Sequence, residues 1–232
     1  MKKPWYTIKA AAAKEKKTAE IMIYDEIGES YWGDGVTAKQ FVKDLQALGV
    51  LDLITLRINS PGGNVFDAFA IYNALVRNPA RVETEIDGMA LSAASIVALA
   101  GEDVRMASNA MFMVHNPYGI VMGDASAMRK SAEMLDKMRD NLADVYLTKT
   151  QKTVEQVHGW MDAESWFTAE EAEAEGFVDH VTESYALAAR FDLSRFQRVP
   201  QSVLALRHAR DHYQPQLLRL QQVAAQHRRR SA

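Results

Sequence analysis

An α/β fold with a largely parallel sheet is what this 232-residue sequence predicts. Short apolar runs of strand length alternate along the chain with segments of helical period. Glycine-rich turns, Pro61-Gly62-Gly63 and the stretch around Gly88, follow two of those runs. The composition, 48% hydrophobic and 25% charged, is that of an ordinary globular protein with one good core. A recurring strand, turn and helix implies crossover helices covering a parallel sheet, with the functional loops at the strand ends.

Taken in order, Met1 to Lys17 is rich in alanine and lysine without an apolar period, which predicts a flexible N-terminal arm over residues 1–19. The folded domain is expected over residues 20–185. Ile21 to Tyr24 reads as a strand and Trp32-Gly33-Asp34-Gly35 as a turn. A helix then follows, capped by Thr37 with Gln40, with Phe41, Leu45 and Leu48 on one face and Gly49 at its end. Leu53 to Ile58 is a buried strand running into Asn59-Ser60-Pro61-Gly62-Gly63. Val65 to Val76 has helical period, Arg81 to Asp87 alternates as a strand, and Ser92 to Ala100 is a helix of small residues.

Val104 to Met106 and Met111 to His115 are the next strands. A long helix over Ser126 to Thr148 carries the stripe Met128, Leu135, Met138, Leu142 and Val145, a packing or assembly face. Thr153 with Gln156 and Thr168 with Glu171 are two capping boxes, and Gly176 closes the last helix before a strand at Phe177 to Val181.

Charge and composition narrow the function. A net charge of -3 gives no overall reason to expect nucleic acid or membranes as partners. Residues 186–232 form a basic extension in which Arg195, Arg198, Arg207, Arg210, Arg219 and Arg228 to Arg230 outnumber Asp192 and Asp211. It reads as a solvated tail able to meet acidic partners. With no cysteine, disulfides, thiolate metal sites and a cysteine nucleophile are excluded. No apolar segment has the length of a signal peptide or membrane span, so the expected location is the cytoplasm. No cofactor and no metal are expected.

A serine attacks an amide only when a base takes its proton and fixed donors receive the charge that develops on the carbonyl oxygen. Gly88-Met89-Ala90-Leu91-Ser92-Ala93-Ala94 sets Ser92 between a strand and a helix start, where unpaired amides favour an anion. The Pro61-Gly62-Gly63 turn lets backbone N–H groups approach a substrate closely. His115 ends an apolar strand before Asn116-Pro117, and an imidazole of ordinary pKa, near 6.5, accepts a proton at neutral pH. Asp162 and Glu164 are the two candidates for the carboxylate that orients it.

These segments resemble a known family. Arg57 to Gly63, Asp87 to Ser92, Met113 to Pro117, and Thr168 to Ala172 through Gly176 to Asp179 are similar, in that order, to the proteolytic subunit of Clp protease. The resemblance runs from about Ile21 to Val181. It implies a crotonase-like, ClpP-like α/β spiral fold, a Ser-His-acid triad and assembly into a homo-oligomeric ring or double ring that encloses the sites. By position, Ser92 resembles the nucleophile, His115 the base, and Gly63 with Ala93 the backbone donors of the oxyanion hole. Glu164 falls where the family has an aspartate, and Asp162 stays open as its substitute.

Trp32 to Gly35, Trp166-Phe167-Thr168 and His115-Asn116-Pro117 are similar to the Clp-like head maturation proteases of tailed bacteriophages and prophages. That likeness implies cleavage of capsid or scaffold proteins in the host cytoplasm. The short segment ahead of Ile21 argues against docking an ATP-driven unfoldase. Three alternatives accompany this reading: a general ATP-dependent degradative subunit, a crotonase-type acyl-CoA enzyme on the same fold, and an idle structural shell protein.

Overall fold

The computed structural model describes residues 4–13, 16–28, 37–183 and 196–200. The chain divides into two units, Met1–Leu193 and Ser194–Ala232, and of the second only residues 196–200 are described. The basic extension therefore lies almost wholly outside the described residues, as does the turn expected at Trp32-Gly33-Asp34-Gly35.

The described strands form one sheet, which includes two that the apolar runs did not predict, at Tyr6–Ala13 and Ser165–Phe167. Its path is β1 (Tyr6–Ala13), β2 (Lys16–Ile23), β3 (Leu53–Ser60), β4 (Arg81–Leu91), β5 (Asp103–Ala107) and β8 (His180–Thr182). Two further strands leave this path: β6 (Met111–Val114) pairs with β4, and β7 (Ser165–Phe167) pairs with β6. Pairing is parallel from β2 through β5 to β8 and between β4 and β6; β1–β2 and β6–β7 are antiparallel. Six helices are described: α1 (Ala38–Ala47), α2 (Val65–Val76), α3 (Ala93–Ala98), α4 (Ala125–Leu147), α5 (Val154–Asp162) and α6 (Ala169–Glu175). This is the mixed α/β arrangement that the alternating pattern predicts.

The long strand β4 turns the sheet. Its first half pairs with β5 over Glu83 to Ile86, and its last residues, Met89 to Leu91, pair with β6. Between the halves its register with β3 shifts, from Ile58 opposite Ile86 to Ser60 opposite Ala90. The extra residues of β4 sit at this irregularity, where Gly88 passes so close to Asn59 that a Cβ there would lie 2.7 Å from Asn59 Oδ1.

The expectation of a flexible arm over residues 1–19 is corrected. Tyr6–Ala13 pairs with β2 along its whole length, and Trp5 and Tyr6 are buried. Trp5 stacks on Phe41 at a centroid distance of 5.7 Å, Tyr6 meets the same ring edge-on at 5.0 Å, and the Tyr6 hydroxyl donates to Asp44 at 2.6 Å. The alanines of β1 lack the size contrast that makes strand alternation readable. Its aromatic anchor, by contrast, buries large apolar area.

Several local expectations are met: both capping boxes form, and Gly176 ends α6 in the left-handed conformation. At Thr37 the helix begins as expected but the hydroxyl caps nothing; Asp67 Oδ1 takes the Ala38 N–H instead, at 3.1 Å. The expected strand at Phe177 to Val181 begins only at His180, because Phe177 and Val178 bond back to the Ala172 carbonyl in the turn after α6. Along α4 the apolar stripe divides: Leu142 and Val145 are buried, whereas Met128 at the other end is 50% exposed.

Candidate active site

Three parallel strands end together and deliver the site. β3 runs into Pro61-Gly62-Gly63, β4 into Ser92, and β6 into His115. The carboxyl ends of parallel strands are where α/β folds gather functional groups. Leu91 lies opposite Met113, and the Ser92 N–H donates to the Met113 carbonyl at 2.9 Å, so the turn is tied to β6 as it leaves the sheet. His115 then lies one residue past the end of the β6 ladder, and its Nε2 is 2.7 Å from Ser92 Oγ. Both side chains are only partly buried, which leaves them accessible.

Ser92 has φ 55 and ψ -127, a conformation that L residues other than glycine seldom adopt. Such backbone costs on the order of 1–3 kcal/mol and persists where the surroundings over-determine it. Here the sharp strand-to-helix turn lifts Oγ out of the sheet toward the imidazole.

The glycine turn is packed against that serine. Gly62 has φ +94, and a Cβ on it would lie 2.6 Å from the Leu91 carbonyl oxygen and 2.9 Å from both Ala93 N and Ser92 Cβ. Gly63, at φ +148, would set a Cβ 2.2 Å from the Ile27 carbonyl oxygen. The turn is held from its other side, since Ile27 N–H donates to the Gly62 carbonyl at 2.7 Å and Asn64 N–H to the Ile27 carbonyl at 2.9 Å. Ala93 is the first residue of α3, whose leading amides have no acceptor within the helix. Among the described residues, neither the Gly63 nor the Ala93 N–H is given to a turn, loop, cap or side-chain acceptor.

The two carboxylates have different surroundings. Asp162, the last residue of α5, accepts from Arg139 Nη2 at 2.9 and 3.0 Å and from Asn116 Nδ2 at 2.8 Å. Its side chain is 57% exposed. Glu164 takes a left-handed backbone, φ 48, just before β7. The β6–β7 ladder sets Phe112 opposite Phe167, Met113 opposite Trp166 and Val114 opposite Ser165. The ladder ends at Val114 and Ser165, and His115 and Glu164 are the next residues beyond that end on the two chain segments. Trp166 Nε1 reaches Glu164 Oε1 at 3.5 Å, the outer limit of a hydrogen bond.

The strands that lead into the site, β3 and β4, carry a polar group that the sequence did not single out. Asp87 accepts from the Tyr24 hydroxyl and from Arg57, whose other nitrogen pairs with Glu85. Burial raises Asp87 above the usual aspartate range, against the lowering influence of Tyr24 and Arg57. Burial, and then the hydrogen bond to Asp87, push the Tyr24 phenol up to about 12. Ser95 and Tyr146 were also not foreseen: the Ser95 hydroxyl donates to the Ser92 carbonyl at 2.5 Å and lies 2.8 Å from the Tyr146 hydroxyl. Ser95, one helical turn on from Ser92, carried a local signal in its spacing; Tyr146 carried none.

A Ser-His pair at strand ends beside a glycine turn is the arrangement of hydrolases that act through an activated hydroxyl. Comparison with known proteins specifies it further. The family model described as Clp protease matches residues 3–185. The ATP-dependent Clp protease proteolytic subunit 1 of Leifsonia xyli subsp. xyli is 39% identical over 138 residues, covering 59% of this chain and 70% of that one. Subunit 3 of Rhodococcus jostii is 33% identical over 158 residues, covering 66% and 78%. Among solved structures, a point mutant of ClpP1 from Listeria monocytogenes superposes with a TM-score of 0.62 at 25% identity, covering 71% of this chain and 91% of that one. The chain belongs to the Clp protease family. It is a serine-type peptidase resembling the Clp proteolytic subunits, and the crotonase-type acyl-CoA alternative is set aside. Among the described residues no helix is long and apolar enough to cross a membrane, and no cluster of His, Asp and Glu could hold a metal ion.

Proposed function

We propose that this chain is a serine endopeptidase in which Ser92 attacks the peptide carbonyl, His115 transfers the proton, and the Gly63 and Ala93 N–H groups receive the oxyanion. The observation that carries the reading is the 2.7 Å contact between Ser92 Oγ and His115 Nε2 at a serine held at positive φ. For Nε2 to accept the hydroxyl proton, the other ring proton must sit on Nδ1. As Oγ bonds to the carbonyl carbon, its proton passes to Nε2 and the carbonyl oxygen becomes the anion between the two amides. The imidazolium then gives its proton to the leaving amine as the C–N bond breaks. Water, deprotonated by the same nitrogen, frees Ser92 from the ester.

Glu164 is the carboxylate assigned to the Nδ1 side. The strand register supports it, and Asp162 is already engaged by Arg139 and Asn116. Asp162 is better read as a brace for the loop after His115.

The biological role proposed is processing of capsid or scaffold proteins in phage head maturation by a ring or double ring of these subunits in the host cytoplasm. Its support is the likeness of the segments around His115 and Trp166 to that branch, together with the exposed apolar end of α4 as an assembly face. The basic extension suits acidic capsid or scaffold surfaces. A second reading, a general degradative subunit served by an ATP-driven unfoldase, is favoured by the names of both curated relatives.

Incubating the purified, assembled protein with a procapsid and its scaffold separates the two, without nucleotide and then with a Clp unfoldase and ATP. Head maturation predicts defined scaffold or capsid fragments without nucleotide. Degradation to short peptides that requires both unfoldase and ATP would transfer the assignment to the general subunit.

A further inference from the structure

We infer that Ser95 and Tyr146 are positioning residues that aim the Ala93 N–H of the oxyanion hole by pinning the Ser92–Ala93 peptide plane. The inference rests on the serine-peptidase reading above and assigns two further residues to that machinery.

The carbonyl of Ser92 and the N–H of Ala93 belong to one planar trans peptide and point in opposite directions. Whatever fixes the carbonyl therefore fixes the amide. The Ser92 carbonyl accepts twice from one residue, from Ser95 N–H at 2.9 Å and from the Ser95 hydroxyl at 2.5 Å. A carbonyl only accepts, so the single proton of Ser95 Oγ is committed to it. The Tyr146 hydroxyl, 2.8 Å from Ser95 Oγ, must then be the donor in that contact. The chain of donors runs in one sense, from Tyr146 to Ser95 to the Ser92 carbonyl.

The relay is dry: Ser95 is 0% and Tyr146 1% exposed, so water does not replace either bond. In such surroundings successive hydrogen bonds reinforce one another and loss of one leaves a buried group unsatisfied. Burial raises the Tyr146 phenol well above the usual tyrosine range, which favours its protonated, donor form. The anchor is firm, because Tyr146 sits near the end of α4 with its ring edge-on to Phe177 at 5.8 Å. Ser92 alone, at φ 55, has no intrinsic preference for this plane; the relay supplies it.

The test compares wild type with Tyr146→Phe, which keeps the ring and removes only the hydroxyl, and with Ser95→Ala, all as assembled protein. Peptide kcat and KM, and the affinity for a peptide boronate whose tetrahedral adduct carries the oxyanion, are measured for each. Tyr146→Phe is expected to lower kcat about threefold to tenfold. Ser95→Ala should lower it about tenfold to a hundredfold, less than loss of a whole oxyanion donor. Boronate affinity should fall by the same factors with KM unchanged, and the double variant should be no worse than Ser95→Ala, since the two act in series.

Wild-type kcat and boronate affinity in folded Tyr146→Phe would overturn the inference, as would losses appearing only in KM. If Ser95→Ala does not fold, Tyr146→Phe still decides. A wild type that neither hydrolyses peptide nor binds boronate at Ser92 would instead sink the serine-peptidase reading on which the inference stands.

Discussion

Ser92 and His115 meet because two neighbouring parallel strands, β4 and β6, stop one residue apart. Removing the hydroxyl with Ser92→Ala is expected to lower peptide turnover by a factor on the order of 10⁴ to 10⁶, measured as kcat on a fluorogenic peptide. The two carboxylates should separate as sharply. If Glu164 is the triad acid as proposed, Glu164→Gln is expected to cost a factor on the order of 10² to 10⁴ in kcat, because the imidazole would lose the partner that fixes its tautomer. Asp162→Asn keeps kcat within about a factor of five, since Arg139 and Asn116 act on the loop and not on the reacting atoms. The reverse ranking would exchange their roles.

At this scale the two side chains that meet at 2.7 Å were legible in the sequence as candidates, each standing at the end of an apolar run beside glycine or proline. The choice between Asp162 and Glu164 was not. Two residues of spacing cannot show which one stands next to the end of the β6–β7 ladder and which one Arg139, 23 residues away along the chain, engages. Tyr146 was illegible for the same reason, being 51 residues from the serine whose hydroxyl it supports.

Among the elements, the glycine turn after β3 and the serine turn after β4 form one packed unit. Gly62→Ala must move the Leu91 carbonyl or the Ser92 turn, and it also forces an L side chain to φ +94. We expect a destabilisation of about 1–3 kcal/mol by denaturant melting. Activity should fall further than the folded fraction does. Loss of stability without any loss of kcat per folded molecule would mean that the turn does not shape the site. The helices, the capping boxes and most strands were readable from period and caps. β1 was not, because its alanines carry no alternation and its anchor, Trp5 and Tyr6 on Phe41, joins residues some 35 positions apart. The continuation of β4 through Gly88 to Leu91 was likewise hidden, since the glycine that reads as a break is there to pass Asn59.

For the whole molecule, three phenols raised by burial are expected to weaken the fold at alkaline pH. Tyr6, Tyr24 and Tyr146 are all raised by burial, Tyr24 to about 12, whereas an unfolded tyrosine titrates near 10. The folded state then holds protons that the unfolded state releases, so their contribution is complete below pH 10 and declines as pH rises through the folded values. Melting temperature should fall across pH 10 to 12, and Tyr24→Phe should make that fall shallower. An unchanged slope in this variant would remove Tyr24 from the account. Assembly is the other molecular-scale expectation: the half of α4 that presents Met128 and Met134, both about half exposed, should be covered by a second copy. Met134→Glu should shift the sedimentation profile toward smaller species, while an unaltered oligomer would place the interface elsewhere.

The activated serine is tested most directly by treating the assembled protein with a fluorophosphonate and locating the adduct by peptide mass spectrometry. The account predicts one modified residue, Ser92, with labelling abolished in Ser92→Ala and strongly slowed in His115→Ala. Wild-type particles that stay unlabelled, or that are labelled at another serine, would contradict it.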